Sequence, residues 1–375
     1  MNVLSKKTVA VISNDPTWTY NLRGEILDAL LKAGCRVVII DSYGKKADDL
    51  KNMGCEFIDV PMNRHGLNPI NEYRLLRRYK KILSELKPDF VLTYTIKPNT
   101  YGGYVCGKLG IPYIANITGL GTALENKGPL QKFFLFLLKN GLKKASMVFF
   151  QNTENMQFLL DNKVISGRYS LIPGSGVNVK KFEPQTYPDG ELVEFVFISR
   201  IMKEKGADQY LEAAEYIRKK YPNTRFHVCG FCEGAYDERI SELNGNGTII
   251  YHGMVDDIRE IHKITHCTVH PTYYPEGMSN VLLESAASAR PIITTDRSGC
   301  REIIDDGVNG YVIRQRDSQD LIEKLERFIA LSQAERREMG LRGREKVERE
   351  FDRQIVVDAY LKEIGIATVK EQVHS

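Results

Sequence analysis

Long apolar runs are missing from this chain of 375 residues. The unbroken apolar stretch near its middle, Phe133–Leu138, has six residues, against the roughly 18 that a membrane-spanning helix needs. Met1–Lys7 is basic but has neither a long apolar core nor a small-residue cleavage site, so no signal peptide is expected. Cysteine is sparse. The seven residues are odd in number and widely scattered, which excludes a disulfide framework and fits a reducing compartment. Cys229 and Cys232 have C-x-x-C spacing, but no second close pair completes a zinc site and no thioredoxin-like context supports a redox site. Their plain reading is a strand end followed by a glycine loop. Histidine is also scarce, at seven. His262 and His266 are four apart and His270 follows. The first two are expected on a helix and the third on the next strand, with no H-E-x-x-H motif, so no metal is expected. No G-x-S-x-G elbow supports a hydrolase.

What is present belongs to a folded protein. Apolar residues make up 42% and charged residues 27%, which excludes a disordered chain, and at ~150 residues per domain the length implies two domains. Charge is uneven. Residues 1–170 carry 24 Lys/Arg and 14 Asp/Glu, whereas 171–375 carry 28 and 34. A basic first half suits an anionic ligand or surface: nucleic acid, phospholipid head groups or a diphosphate.

Strand-like runs alternate with amphipathic stretches. The first series is 8–13, 36–41, 56–60, 89–94, 112–117 and 147–151, with helical patterns at 22–33 and 69–86. Val9, Val11 and Val37–Ile40 are the β-branched residues of a parallel strand buried on both faces. The stretch 172–188, rich in proline and glycine, reads as a linker. A second series follows at 193–199, 224–229, 248–251, 267–270, 291–295 and 310–313. Its helices include 207–221, 279–288 and 321–331, a last amphipathic stretch runs 351–364, and 369–375 reads as a frayed tail. The fold class is α/β: two tandem Rossmann-like, doubly wound domains with parallel sheets. Ligands of such sheets bind beyond the carboxyl ends of the strands, so the two domains are expected to face a cleft.

Three strand-end loops carry chemistry. In the first, Ser199–Gly206, Arg200 and Lys205 stand where two cations could clamp a diphosphate, though strand-end loops also carry solvated cations. In the second, Gly230 permits close approach of a flat ligand and is equally a plain turn. The third runs Pro275-Glu276-Gly277-Met278-Ser279-Asn280 into a helix containing Glu284. Ser279 reads as its N-cap, and free amides of Gly277–Asn280 would attract a phosphate. Glu276 and Glu284 lie roughly 8 Å or more apart along the helix. One can hold a sugar hydroxyl and the other a ribose; a capped helix with a solvated Glu is the plainer reading.

This Glu276-x7-Glu284 element resembles that of retaining family-4 glycosyltransferases, which have the GT-B fold. Other pieces follow in the family's order: Ile172–Asn178 with Phe182, Ser199–Gly206, His227–Gly230, Tyr251–Val255, and Gly299, Glu302 and Asp306–Gly310. The similarity is strong over about 170–315 and looser elsewhere. It implies that Arg200, Lys205 and Glu276 are catalytic: the cations neutralise the leaving diphosphate and Glu276 orients the transferred sugar. Gly230, Gly277, Met278, Ser279, Asn280 and Glu284 would bind the donor, with Glu284 on the ribose. No metal or other cofactor is implied. Domains are expected at 1–175 with the last helix, about 351–366, for the acceptor, and at 185–350 for the donor. Thr93–Gly102 and Asn116–Gly121 resemble a narrower group, bacterial transferases that build capsule, O-antigen or glycan repeats on polyprenyl diphosphate. The chain departs from the family at Asn14–Asn21, where many members have a glycine-rich loop, and at Thr118, where many have a histidine.

Trp18, Asn21, Arg23, Lys97 and Asn116 are expected in loops past first-half strands or at a helix start, and with Thr118 form the candidate acceptor side. Arg23 and Lys97 would meet the acceptor diphosphate and Trp18 a sugar or prenyl group; each is equally an ordinary surface residue. The stretch 127–144 reads as one helix. Leu130, Phe133, Phe134, Leu137, Leu138 and Leu142 would face the core, while Leu135 and Phe136 lie among Lys132, Lys139 and Lys143. Apolar residues ringed by lysines suit anionic head groups; packing under a loop or in a dimer is the plainer alternative. The expected protein is therefore a cytoplasmic glycosyltransferase, peripheral on the inner face of the membrane. Its partners would be a UDP-sugar, a lipid-diphosphate-linked saccharide and an anionic membrane, without nucleic acid. A sugar-nucleotide epimerase on the same fold lacks the E-x7-E helix, and a nucleic-acid binder would not need the two glutamates.

Overall fold

The computed structural model describes residues 7–63, 66, 68–121, 124 and 127–366. The tail expected at 369–375 lies outside the described residues. The chain divides into two units, one of Met1–Ser175 with Arg353–Ser375 and the other of Gly176–Asp352.

The first unit is a parallel sheet of seven strands. They are β1 (Thr8–Ile12), β2 (Arg36–Asp41), β3 (Glu56–Asp59), β4 (Phe90–Tyr94), β5 (Tyr113–Ile117), β6 (Met147–Phe150) and β7 (Tyr169–Leu171), in the order β3-β2-β1-β4-β5-β6-β7. Six were expected. The seventh, β7, is a three-residue edge strand, too short to show a period. Alternation along the strands feeds two cores. Ala10, Ile12, Val38 and Ile40 face α3 (Pro69–Leu86), α4 (Gly103–Leu109), α5 (Pro129–Leu142) and α6 (Thr153–Asp161). Val9, Val11, Val37 and Ile39 face α1 (Pro16–Lys32), α2 (Ala47–Asn52) and α13 (Arg353–Ile364). A π-helical turn, Pro98–Gly102, leads into α4.

The second unit has six parallel strands: β8 (Val193–Ile198), β9 (Thr224–Cys229), β10 (Ile250–Gly253), β11 (Cys267–His270), β12 (Ile292–Thr295) and β13 (Gly310–Ile313). Their order is β10-β9-β8-β11-β12-β13. Phe195, Phe197, Phe226 and Val228 pack against α7 (Ala207–Lys220), α8 (Tyr236–Gly245) and α11 (Ser318–Ile329). The opposite face carries α9 (Ile258–Ile264), α10 (Asn280–Ala287) and α12 (Gln333–Glu350). His262 lies in α9, but His266 lies beyond its C-cap Thr265, so the two do not share a helix as expected. The chain order reverses between β1 and β4 and between β8 and β11, which makes those strand ends the switch points where α/β sheets bind ligands.

Candidate active site

At the β8/β11 switch, two loops are pressed together. The loop after β8 ends in a 3-10 turn, Lys203–Lys205, closed by Gly206 at φ +79°. A Cβ there would lie 2.2 Å from the Pro271 carbonyl oxygen, so only glycine lets the β8 and β11 loops touch. The Tyr273 N–H donates to the Glu204 carbonyl at 2.9 Å and holds the contact.

The result is an ion pair between Lys205 Nζ and Glu276 Oε1, with side chains only 12% and 14% exposed. The Tyr274 ring backs both cations, 4.9 Å from Lys205 Nζ and 5.5 Å from Arg200 Cζ. Arg200 also donates to Glu233 Oε1 at 2.8 Å. Burial works against the charge on Arg200, but Glu233 outweighs it and the guanidinium is held above its ordinary pKa. Burial would raise the Glu276 carboxyl, yet the Lys205 ammonium and the neighbouring His270 hold it down to about 2. His270, at the end of β11, is driven toward the neutral form by burial, against the pull of Glu276. The ensemble is a fixed carboxylate beside two fixed cations, arranged to meet an anion and a hydroxyl-rich ligand together.

The other expected donor residues divide. Gly230, at φ +137°, would place a Cβ 1.8 Å from the Ser199 carbonyl oxygen, so backbone packing alone requires glycine there. Met278 turns its side chain into the apolar core with Val177, Phe182 and Leu282, so only its backbone is left for a ligand, as expected of Gly277–Asn280. Ser279 begins α10 without a side-chain capping bond. Its N–H is not free as expected: it donates to the Gly299 carbonyl at 2.8 Å. Gly299 is held in turn by Glu302, whose Oε2 accepts its N–H at 2.7 Å. Asn280 starts the helix with a buried Oδ1 that no protein group satisfies. Glu284 is half-buried one and a half turns on. Three residues were not foreseen as part of this site: His270, Tyr274 and Glu233. Only their positions after strand ends could have marked them.

In the first unit the expected acceptor residues scatter. Trp18 is 57% exposed in the first turn of α1. Asn21 is exposed within α1 rather than in a loop. Arg23 is buried; it donates to Ser175 Oγ at 2.5 Å and lies over the Tyr94 ring at 4.6 Å. Lys97 is bound on three sides, by the carbonyls of Asn63 and Gly66, each at 2.7 Å, and by Glu72 Oε1 at 2.5 Å. Its charge is compensated inside the unit by Glu72. Asn116 is buried too. It donates to the Thr93 carbonyl at 3.0 Å and accepts from the Tyr360 hydroxyl. Asn99 completes this network by donating to the Asn116 carbonyl at 2.8 Å. Thr118 is half-buried just past β5.

The helix expected over 127–144 is α5. Leu135 packs into the core with Leu138 and Leu142, contrary to its expected surface place. Phe136 is exposed by 63% as expected, while Leu130 and Phe133, expected to face the core, are exposed by 52% and 55%. The core stripe therefore lies on positions 135, 138 and 142, and 130, 133 and 136 form a separate outward stripe at three-residue steps. Lys132, Lys139 and Lys143 flank it, all exposed. Among the described residues, no helix is long and apolar enough to cross a membrane and no cluster of three or more His, Cys, Asp or Glu could hold a metal ion.

Two parallel α/β units, each with its switch point, and a cation-and-carboxylate site on the second define a glycosyltransferase of the GT-B fold. Residues 179–346 match the family of glycosyl transferases group 1, and residues 9–152 match glycosyl transferase 4-like proteins. The chain is 26% identical, over 94% of its length and 97% of the relative's, to the N,N'-diacetylbacillosaminyl-diphospho-undecaprenol alpha-1,3-N-acetylgalactosaminyltransferase of Campylobacter jejuni. It is 25% identical to the capsular polysaccharide biosynthesis glycosyltransferase CapM of Staphylococcus aureus, covering 89% of this chain and 90% of that one. The fold is shared with Anabaena HepE solved with UDP, at a TM-score of 0.77 and 15% identity over 95% of this chain and 98% of that one.

Proposed function

We propose that this glycosyltransferase moves a hexose or N-acetylhexosamine from a UDP-sugar to a saccharide carried on polyprenyl diphosphate, with retention of anomeric configuration. The observation that carries the reading is the buried Lys205–Glu276 pair, with Arg200 beside it over Tyr274, at the β8/β11 switch. Glu276, ionised at neutral pH, accepts hydroxyl hydrogen bonds from the sugar, and the Glu284 carboxylate accepts them from the ribose. As the sugar C1–O bond breaks, negative charge grows on the departing diphosphate, and Arg200 and Lys205 meet it. The acceptor hydroxyl oxygen bonds to C1 on the face the diphosphate leaves, and its proton passes to the departing phosphate oxygen. The first unit takes the acceptor, with Trp18 and Thr118 near its switch point. The C. jejuni relative's name specifies an undecaprenol-diphosphate-linked acceptor, and HepE binds UDP; both support the reading. A panel of UDP-sugars with detection of released UDP tests it. UDP release that depends on a polyprenyl-diphosphate saccharide is expected, and absence of release across the panel overturns it.

The same reading places the enzyme at the inner face of the membrane, held through α5. Phe133 and Phe136 would enter the head-group region while Lys132, Lys139 and Lys143 meet anionic lipid, each lysine adding about 1 kcal/mol.

A further inference from the structure

His270 is a buried group of the donor unit, beside the Lys205–Glu276 pair, that the proposed reaction leaves without a task. It ends β11, is 1% exposed, and has no hydrogen-bond partner among the described residues on either ring nitrogen. Its surroundings hold it still. The Phe197 ring of β8 lies 6.5 Å away, and the Thr294 hydroxyl of β12 donates to its carbonyl oxygen at 2.8 Å. Its Nε2 stands 3.6 Å from Glu276 Oε1, the oxygen that Lys205 also holds. An imidazole N–H needs to close that gap by only about half an ångström to make an ordinary hydrogen bond.

The position matters because Lys205 serves two anions in the proposed reaction. A diphosphate arriving at the β8/β11 switch competes with Glu276 for the ammonium. Glu276 lies largely out of water, and a carboxylate there that lost its cation without replacement would be strongly disfavoured. We propose that His270 is a positioning residue, the reserve hydrogen-bond donor that keeps the Glu276 carboxylate seated and ionised when a bound diphosphate draws Lys205 away. The inference rests on the UDP-sugar reading above. The groups acting on the ring agree with it: Glu276 favours its proton and Lys205 opposes it, while Phe197 and Thr294 carry no charge. A shift of Lys205 toward phosphate therefore strengthens the donor character of His270 at the moment it is needed.

Three variants test this. His270→Phe keeps a planar ring but no N–H. His270→Gln keeps a donor. Lys205→Met mimics loss of the ammonium without any ligand. His270→Phe is expected to lower kcat by about tenfold or more while donor KM stays within about threefold, and His270→Gln to recover most of that loss. A His270→Phe enzyme with parental kcat overturns the proposal, as does a His270→Gln enzyme as impaired as His270→Phe while binding UDP like the parent. Long-range 1H–15N spectra of the imidazole provide an arm that needs no donor and no folded His270 variant. The ring should carry its proton on Nε2, and in Lys205→Met its pKa should rise and its Nε2–H resonance move downfield. An unmoved ring in Lys205→Met overturns the proposal. A parent that releases UDP from no sugar nucleotide overturns the functional reading instead, and the ring spectra then decide the inference alone.

Discussion

Lys205 has two duties, one to fold and one to ligand, and substitutions can separate them. Lys205→Ala should cut turnover by about 100-fold or more, through lost stabilisation of the leaving diphosphate. It should also cost about 3–5 kcal/mol of stability, because it removes the cation from a buried carboxylate. The double variant Lys205→Met with Glu276→Gln should regain stability in urea unfolding but no activity. Turnover within about threefold of the parent in Lys205→Ala would remove the diphosphate role. A second residue-scale expectation concerns His262 and His266. Burial holds their pKa values down to about 3 and about 4, against an ordinary 6.5. The folded state therefore resists protonation that the unfolded chain accepts. Their contribution to stability is complete above pH 6.5 and is lost progressively as pH falls toward those values. Urea midpoints should drop between pH 7 and pH 5.5, less steeply in His262→Leu; equal slopes in parent and variant would refute the assignment. Residues of this kind show what composition hides. Lys97, Arg23 and Asn116 read as residues of loops or a helix start, whereas Arg23 lies within α1 and Asn116 within β5. Their partners, Glu72, Ser175, Tyr94 and Tyr360, lie as far as 244 positions away along the chain, and no local pattern encodes such pairings.

At the scale of elements, α5 carries the clearest mismatch between pattern and packing. Its sequence has more apolar residues than one stripe can hold, so periodicity admits two faces. The structure assigns positions 135, 138 and 142 to the core and leaves 130, 133 and 136 outside. Phe133→Ser with Phe136→Ser should sharply reduce co-sedimentation with anionic vesicles, and salt should weaken the parent's binding. Leu135→Ser should instead lower stability, since it buries a hydroxyl in an apolar core. Equal sedimentation of parent and double variant would exclude α5 as the attachment. The strands were far more legible. Val37–Ile40 are branched and continuous, and Val9 and Val11 branched on either side of Ala10, because both sheet faces are covered, and the structure buries every one of them. Edge elements lack that signal: β7 alternates Tyr169 and Leu171 with Ser170 over only three residues, both apolar side chains exposed, and in the π-helical turn at Pro98–Gly102 Asn99 reaches the Asn116 carbonyl. At the donor site, the motif located Lys205 and Glu276, but their direct pairing required Gly206 to bring two loops into contact.

Across the whole molecule, the placement of α13 has the largest energetic reach. Val356, Val357, Tyr360, Leu361 and Ile364 are buried in the core of the first unit, beside Ile26, Leu30 and Val37. Arg353 fixes the helix start to Glu25 at 2.8 Å, and Lys7 donates to the Ile364 carbonyl at 3.0 Å. Removing residues 353–375 should uncover the part of the first sheet's face that α13 packs on while leaving the second unit's cores complete. The truncated protein should lose the unfolding transition of the first unit and aggregate, yet still bind UDP through the second. A truncated chain that unfolds with the parent's full enthalpy would contradict this.

The same arrangement bears on how the polypeptide matures during translation. Domains usually fold in the order in which they leave the ribosome. Here the first unit waits for a helix synthesised after the second unit, while everything the second unit needs emerges in between. Nascent chains must therefore carry the part of the first sheet's face that Tyr360 covers, at Tyr94 of β4, Asn116 of β5 and Phe149 of β6, uncovered while the whole second unit is made. That interval is when a chaperone would be engaged, and slow codons placed before residue 353 would prolong it.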